Sequence, residues 1–189
     1  MRLFTALNIP KTIADQLFWL QAGIIGAHWR PPENFHITLQ FYGDVEPKAA
    51  IDLEHALQDI PVPVLNLKIA GLGAFGGKQP FALWAGVAGA DEEHEERLRE
   101  LSRACYQAAA QVGIAVPARK YTPHLTLAYC KGVTDVQAAR YFEQFGGFAP
   151  HHFTASQFQL YSSQLGKGPA NYRVEASFGS DGGYGNVGH

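Results

Sequence analysis

Phe35-His36-Ile37-Thr38-Leu39-Gln40-Phe41-Tyr42-Gly43 decides how this chain is read, because its pattern returns as Pro123-His124-Leu125-Thr126-Leu127-Ala128-Tyr129. Each copy is rich in β-branched and aromatic residues and has a glycine or proline beside it, so each reads as a strand. Alternate side chains of a strand face opposite ways. His36 and Thr38 therefore share one face, with Ile37, Leu39 and Phe41 on the other. The second copy sorts in the same way, His124 and Thr126 against Leu125, Leu127 and Tyr129. The apolar sets call for a core, which leaves each His/Thr pair free to line a groove.

A chain of 189 residues with eight histidines yields roughly 0.03 His-x-Thr-Leu strings by random placement. A lone histidine on a strand is more often structural than catalytic. Duplication of the polar triplet together with its apolar surroundings reverses that reading and marks an internal repeat.

Outward from the two motifs, 47% apolar residues allow a substantial core in one large domain or two intimate lobes. Neither a signal peptide nor a bilayer-spanning segment is expected from the sequence. Cys105 and Cys130 fall in no Cys-x-x-Cys spacing and read as reduced thiols of a cytoplasmic protein; a monomer is expected. A net charge of −2 argues against coating long duplex nucleic acid, while a small phosphate-bearing end gripped by a few cations fits.

Residues 2–9 read as a first strand and 11–25 as a helix with Ile13, Leu17, Leu20 and Ile24 as its stripe. His28-Trp29-Arg30 precedes the turn Pro31-Pro32-Glu33-Asn34 into the first motif. Pro47 opens a helix to about residue 59. Residues 64–69 and 81–87 read as strands joined by a Gly-rich loop that lacks any P-loop or dinucleotide spacing. Residues 91–112 form the clearest helix, and its acidic cluster reads as a solvated face rather than a metal site. Thr134 and Gln137 make a capping box for a helix to about residue 145. Residues 153–162 and 172–178 read as closing strands joined by a Gly/Pro turn containing Lys167, and 179–189 as a Gly-rich tail. His151-His152 reads as loop without a third ligand. The expected architecture is α+β. One bilobal domain over residues 1–178 has two largely antiparallel sheets, helices outside and one motif per lobe, related by a pseudo-twofold around a central groove.

Two imidazoles approaching one centre can divide a displacement at phosphorus, the neutral one taking a proton from water and the charged one giving a proton to the departing alkoxide. Threonine hydroxyls on the same face can donate to the non-bridging oxygens. Neither metal nor cofactor is required.

The paired His-x-Thr-Leu motifs, with Phe41-Tyr42-Gly43 after the first and Pro123 before the second, resemble the 2H phosphoesterase superfamily. More closely, the chain resembles the RNA 2′,3′-cyclic phosphodiesterases, also called 2′-5′ RNA ligases. The resemblance runs from Arg2-Leu3-Phe4 through Trp29 and Pro32-Glu33-Asn34 to Leu160, Ser163 and Tyr172. It implies RNA ends as substrates, opening of 2′,3′-cyclic phosphates to 2′-phosphomonoesters, and in some members 2′-5′ ligation. His36, Thr38, His124 and Thr126 map onto its catalytic tetrad, with His36 as acid and His124 as base. Tyr129 stands where the family carries an arginine, so Arg119, Lys120 and Lys131, with Tyr121, are the expected substrate-binding residues. A phosphodiesterase for a small nucleotide, such as ADP-ribose cyclic phosphate or a 2′-5′ oligoadenylate, would use the same tetrad. A non-catalytic RNA-end binder would have no use for two imidazoles.

Overall fold

A computed structural model of the chain describes residues 1–164 and 171–179. Lys167 and residues 180–189 of the expected tail lie outside them. The elements are β1 (Arg2–Asn8), α1 (Lys11–Leu17), β2 (Ala27–Trp29), β3 (His36–Asp44), α2 (Pro47–Gln58), β4 (Leu65–Phe75), β5 (Ala82–Gly89), α3 (Glu92–Gln111), β6 (His124–Cys130), α4 (Asp135–Phe145), β7 (His151–Ala155), β8 (Gln157–Gln164) and β9 (Asn171–Gly179).

The strands run β7-β4-β5-β6-β3-β1-β8-β9, with β2 added along β6. The order divides into two antiparallel four-strand lobes whose innermost strands are β6 and β3, so each motif lies at the centre. Among the described residues a single pair, Ile37 across from Leu125, joins them. The local twofold axis of an antiparallel pair passes through that step, and it carries His36 onto His124 and Thr38 onto Thr126.

The lobes do not follow the halves of the sequence. Strands β4 and β5 precede residue 90 yet hydrogen-bond with β6 and β7, while β8 and β9 return to β1. The expected strand over residues 153–162 is two strands, β7 on β4 and β8 on β1, broken at Ser156 where the chain passes from one lobe to the other. Adjacency in a sheet is set by hydrogen-bonding edges, which strand patterning does not encode.

One face of the sheet is covered by helices. Leu3, Leu7, Ile37, Leu39, Leu67, Ile69, Leu125 and Leu127 meet Ile13 and Leu17 of α1, Leu53 and Leu57 of α2 and Leu98, Leu101 and Cys105 of α3. A second cluster joins Leu83 and Ala128 to Ala138 and Tyr141 of α4. Cys105 and Cys130 are free thiols, Cys105 pushed up to about 12 by burial. The helix expected over 11–25 ends at Leu17 and tightens into a 3-10 turn that buries Leu20. Gly23 at φ 82 then re-aims the chain, so that Ile24 enters the second cluster while Ile25 is 90% exposed. Thr134 and Gln137 close the expected capping box, and Asp91 caps α3 by accepting from the His94 N–H.

Much of the Gly-rich stretch read as a loop is strand β4. Gly73 lies under the ring of Trp84, and a Cβ there would come within 2.3 Å of the indole. His151 and His152 open β7 instead of lying in a loop.

Candidate active site

Both motif strands carry a β-bulge at the leucine of His-x-Thr-Leu. Against β1, Thr38 faces Ala6 and Gln40 faces Thr5, so Leu39 is the extra residue. Against β5, Thr126 faces Trp84 and Ala128 faces Leu83, so Leu127 is extra. A bulge adds one residue and reverses the alternation beyond it. Strict alternation puts Phe41 and Tyr129 on the core face. The bulges instead turn them out, 43% and 48% exposed, each under an arginine: Arg2 lies 5.1 Å from the Phe41 ring and Arg30 5.6 Å from that of Tyr129. The carbonyls of the bulged residues are both satisfied, Leu39 by the Ser102 hydroxyl of α3 at 2.8 Å and Leu127 by the Arg30 N–H at 2.8 Å.

The two histidines are oriented alike. Nδ1 of His36 lies 2.8 Å from the Asn34 carbonyl, and Nδ1 of His124 lies 2.7 Å from the Thr122 carbonyl, in each case two residues back. A carbonyl only accepts, so each Nδ1 carries the proton and donates it, leaving Nε2 as the nitrogen free for chemistry. Aromatic rings hold both imidazoles. Phe4 at 4.9 Å and Tyr172 edge-on at 5.2 Å flank His36; Phe75 at 4.9 Å and Trp84 at 6.1 Å flank His124.

Register sets His36 across from Thr126 and Thr38 across from His124, all four on the face away from the helices. The threonine hydroxyls are half-buried and have no hydrogen-bond partner among the described residues. Burial lowers the His36 pKa; the Asn34 carbonyl opposes this, the charges of Arg30 and His124 add to it, and the result is about 4. Burial also lowers His124, against the Thr122 carbonyl. Both imidazoles are therefore neutral in the free protein near pH 7.

The expected substrate-binding residues disperse. Arg119 and Lys120 are exposed on the segment leading into His124. Tyr121 packs against the core, where burial, Cys105 and Glu95 push its hydroxyl pKa up. Lys131 follows the far end of β6, about 23 Å of extended chain from His124, beyond the reach of a lysine side chain from that strand. Arg30, which sequence reasoning passed over, is only 7% exposed. Its Nη2 donates to the Tyr172 hydroxyl at 3.0 Å, and its guanidinium lies 5.4 Å from the Tyr172 ring. Among the described residues no cluster of three or more His, Cys, Asp or Glu is placed to hold a metal ion, and no helix is long and apolar enough to cross a membrane.

Two histidines at the junction of two pseudo-symmetric antiparallel lobes define a class, and known proteins give it a name. Residues 26–167 match the model of the 2′-5′ RNA ligase superfamily. The chain belongs to that superfamily. A Thermotoga maritima protein named RNA 2′,3′-cyclic phosphodiesterase is 26% identical over 92% of each chain. A Geobacillus stearothermophilus protein of the same name is 36% identical over 53% of this chain and 31% of its own length. A second relative, from Aeropyrum pernix, is 33% identical over 56% of this chain and 58% of its own. The chain thus spans less than two thirds of those last two proteins. The fold is that of E. coli LigT, in a crystal structure with 3′-AMP: TM-score 0.74 at 22% identity, covering 94% of this chain and 97% of that one.

Proposed function

We propose that the chain is a metal-independent RNA 2′,3′-cyclic phosphodiesterase that opens cyclic phosphate ends to 2′-phosphomonoesters. The observation that carries this reading is the matched pinning of Nδ1 on His36 and His124, on adjacent strands, which leaves two Nε2 atoms available for proton transfer. Water attacks phosphorus in line with the P–O3′ bond. The base takes a proton from water as the new P–O bond forms, and the acid gives a proton to O3′ as the old bond breaks. The hydroxyls of Thr38 and Thr126 donate to the non-bridging oxygens. With an RNA 5′-hydroxyl in place of water, the same displacement yields a 2′-5′ linkage.

The acid must be charged although both imidazoles are neutral in the free protein, so the substrate supplies the difference. A unit anion about 5 Å away, at an effective dielectric of about 20, favours the imidazolium by about 3 kcal/mol, or about two pK units. His36 is assigned as acid and His124 as base. The test is incubation in EDTA with a short RNA ending in 2′,3′-cyclic phosphate, beside ADP-ribose cyclic phosphate and a 2′-5′ oligoadenylate. A 2′-phosphate end formed from the RNA is the expected product. Turnover of a small nucleotide alone would replace the substrate, and no turnover in EDTA would remove the metal-independent mechanism.

A further inference from the structure

Arg30 is a buried cation with no carboxylate partner among the described residues. Burying a charge costs several kcal/mol unless it is compensated. The compensation present is partial: the ring faces of Tyr129 and Tyr172, and one hydrogen bond to the Tyr172 hydroxyl. A guanidinium has five donors in a planar fork, and the Tyr172 oxygen takes one of them.

Its location follows from backbone pairing. Strand β2 lies along the same edge of β6 as β3 does, with the Arg30 N–H on the Leu127 carbonyl and Ile37 across from Leu125. Arg30 and His36 thus sit side by side along that edge, His36 level with Thr126 and Arg30 one residue further along, level with Leu127, and residues 31–35 loop out between them. Both Arg30 and His36 contact the Tyr172 ring. The charge of Arg30 also reaches the imidazole, lowering the His36 pKa.

We propose that Arg30, clamped between Tyr129 and Tyr172, is the residue that grips the non-bridging oxygens of the substrate's terminal phosphate next to His36. The proposal rests on reading the groove as a phosphodiesterase site and names the substrate-binding cation of that site. The two tyrosines fix the plane of the fork, so little side-chain freedom is lost when the anion arrives. The Tyr172 hydroxyl accepts from Arg30 and keeps its own proton to donate. Burial is the main cause of the lowered His36 pKa, and anion binding at Arg30 offsets the smaller contribution of the Arg30 charge, so the phosphate favours protonation of the group beside it.

The experiment measures binding of inorganic phosphate and of adenosine 2′-monophosphate to the full chain by calorimetry, in the parent, Arg30→Met and Arg30→Lys. NMR titration of His36 accompanies it. Arg30→Met should weaken both ligands about 30-fold or more and raise the pKa of ligand-free His36. Arg30→Lys keeps the charge without the fork, should lose about tenfold, and decides the matter if the methionine variant does not fold. Affinities within threefold of the parent in the folded variants would overturn the proposal. If the parent binds phosphate through Arg30 yet opens no cyclic phosphate, the anion site stands and the functional reading falls. If it turns over RNA while Arg30→Lys and Arg30→Met bind product like the parent, the reverse holds.

Discussion

Ile37 lies directly across from Leu125, and among the described residues this is the one step at which the two lobes hydrogen-bond. Both side chains are fully buried on the helix-covered face. Their flanking residues, His36 and Thr38 on one strand and His124 and Thr126 on the other, are thereby carried to the opposite face. A core contact fixes the spacing of the groups proposed to act on substrate.

His36→Ala and His124→Ala should each remove nearly all hydrolysis, by about 10² to 10⁴ or more in rate, with the fold retained. Activity within a few-fold of the parent in either variant would exclude the two-histidine mechanism. A substrate with a thio-substituted 3′ leaving group needs little protonation, so it should restore turnover to His36→Ala and leave His124→Ala inactive. Rescue of His124→Ala alone would exchange the two roles.

Thr38→Ala and Thr126→Ala should lower kcat by about 10² or less, because each removes one donor and no proton-transfer group. Serine at either position should recover much of the loss. Equal damage from serine and alanine would mean that the methyl group, and not the hydroxyl, matters there.

The depressed imidazoles set two pH dependences. Turnover needs one neutral and one charged imidazole, and with His36 near 4 and His124 also lowered, kcat/KM should be bell-shaped with its maximum below about pH 6.5. The kcat profile, read with the anion bound, should peak at higher pH. The stability effect has a definite sign. His36 binds its proton more weakly folded than unfolded, so it destabilises the fold as pH falls from about 6.5 toward 4, by up to about 3 kcal/mol. Urea titrations of the parent and of His36→Gln should differ in slope over that window. Parallel curves would show that His36 is not depressed.

Ser102→Ala removes the donor to the Leu39 carbonyl, and the site is buried, so water is a poor replacement. Unfolding in urea should show a loss of about 1–3 kcal/mol. A change under a few tenths of a kcal/mol would mean that the bulge does not depend on this bond.

The chain by itself determined the two motif strands, their His/Thr pairs, the main helices and the capping box of Thr134, because each rests on local periodicity or on residues a few positions apart. Three features needed the tertiary structure. Lobe membership of β4 and β5 is a matter of which edges hydrogen-bond, and apolar strands of similar length compete equally for them. The outward turn of Phe41 and Tyr129 depends on bulges at Leu39 and Leu127, whose carbonyls are satisfied by Ser102 and Arg30, 63 and 97 residues away in the chain. In the sequence Arg30 only precedes a proline turn. Its importance comes from burial against Tyr129 and Tyr172 and from its place next to His36, contacts that exist only once β2, β3, β6 and β9 have been brought together.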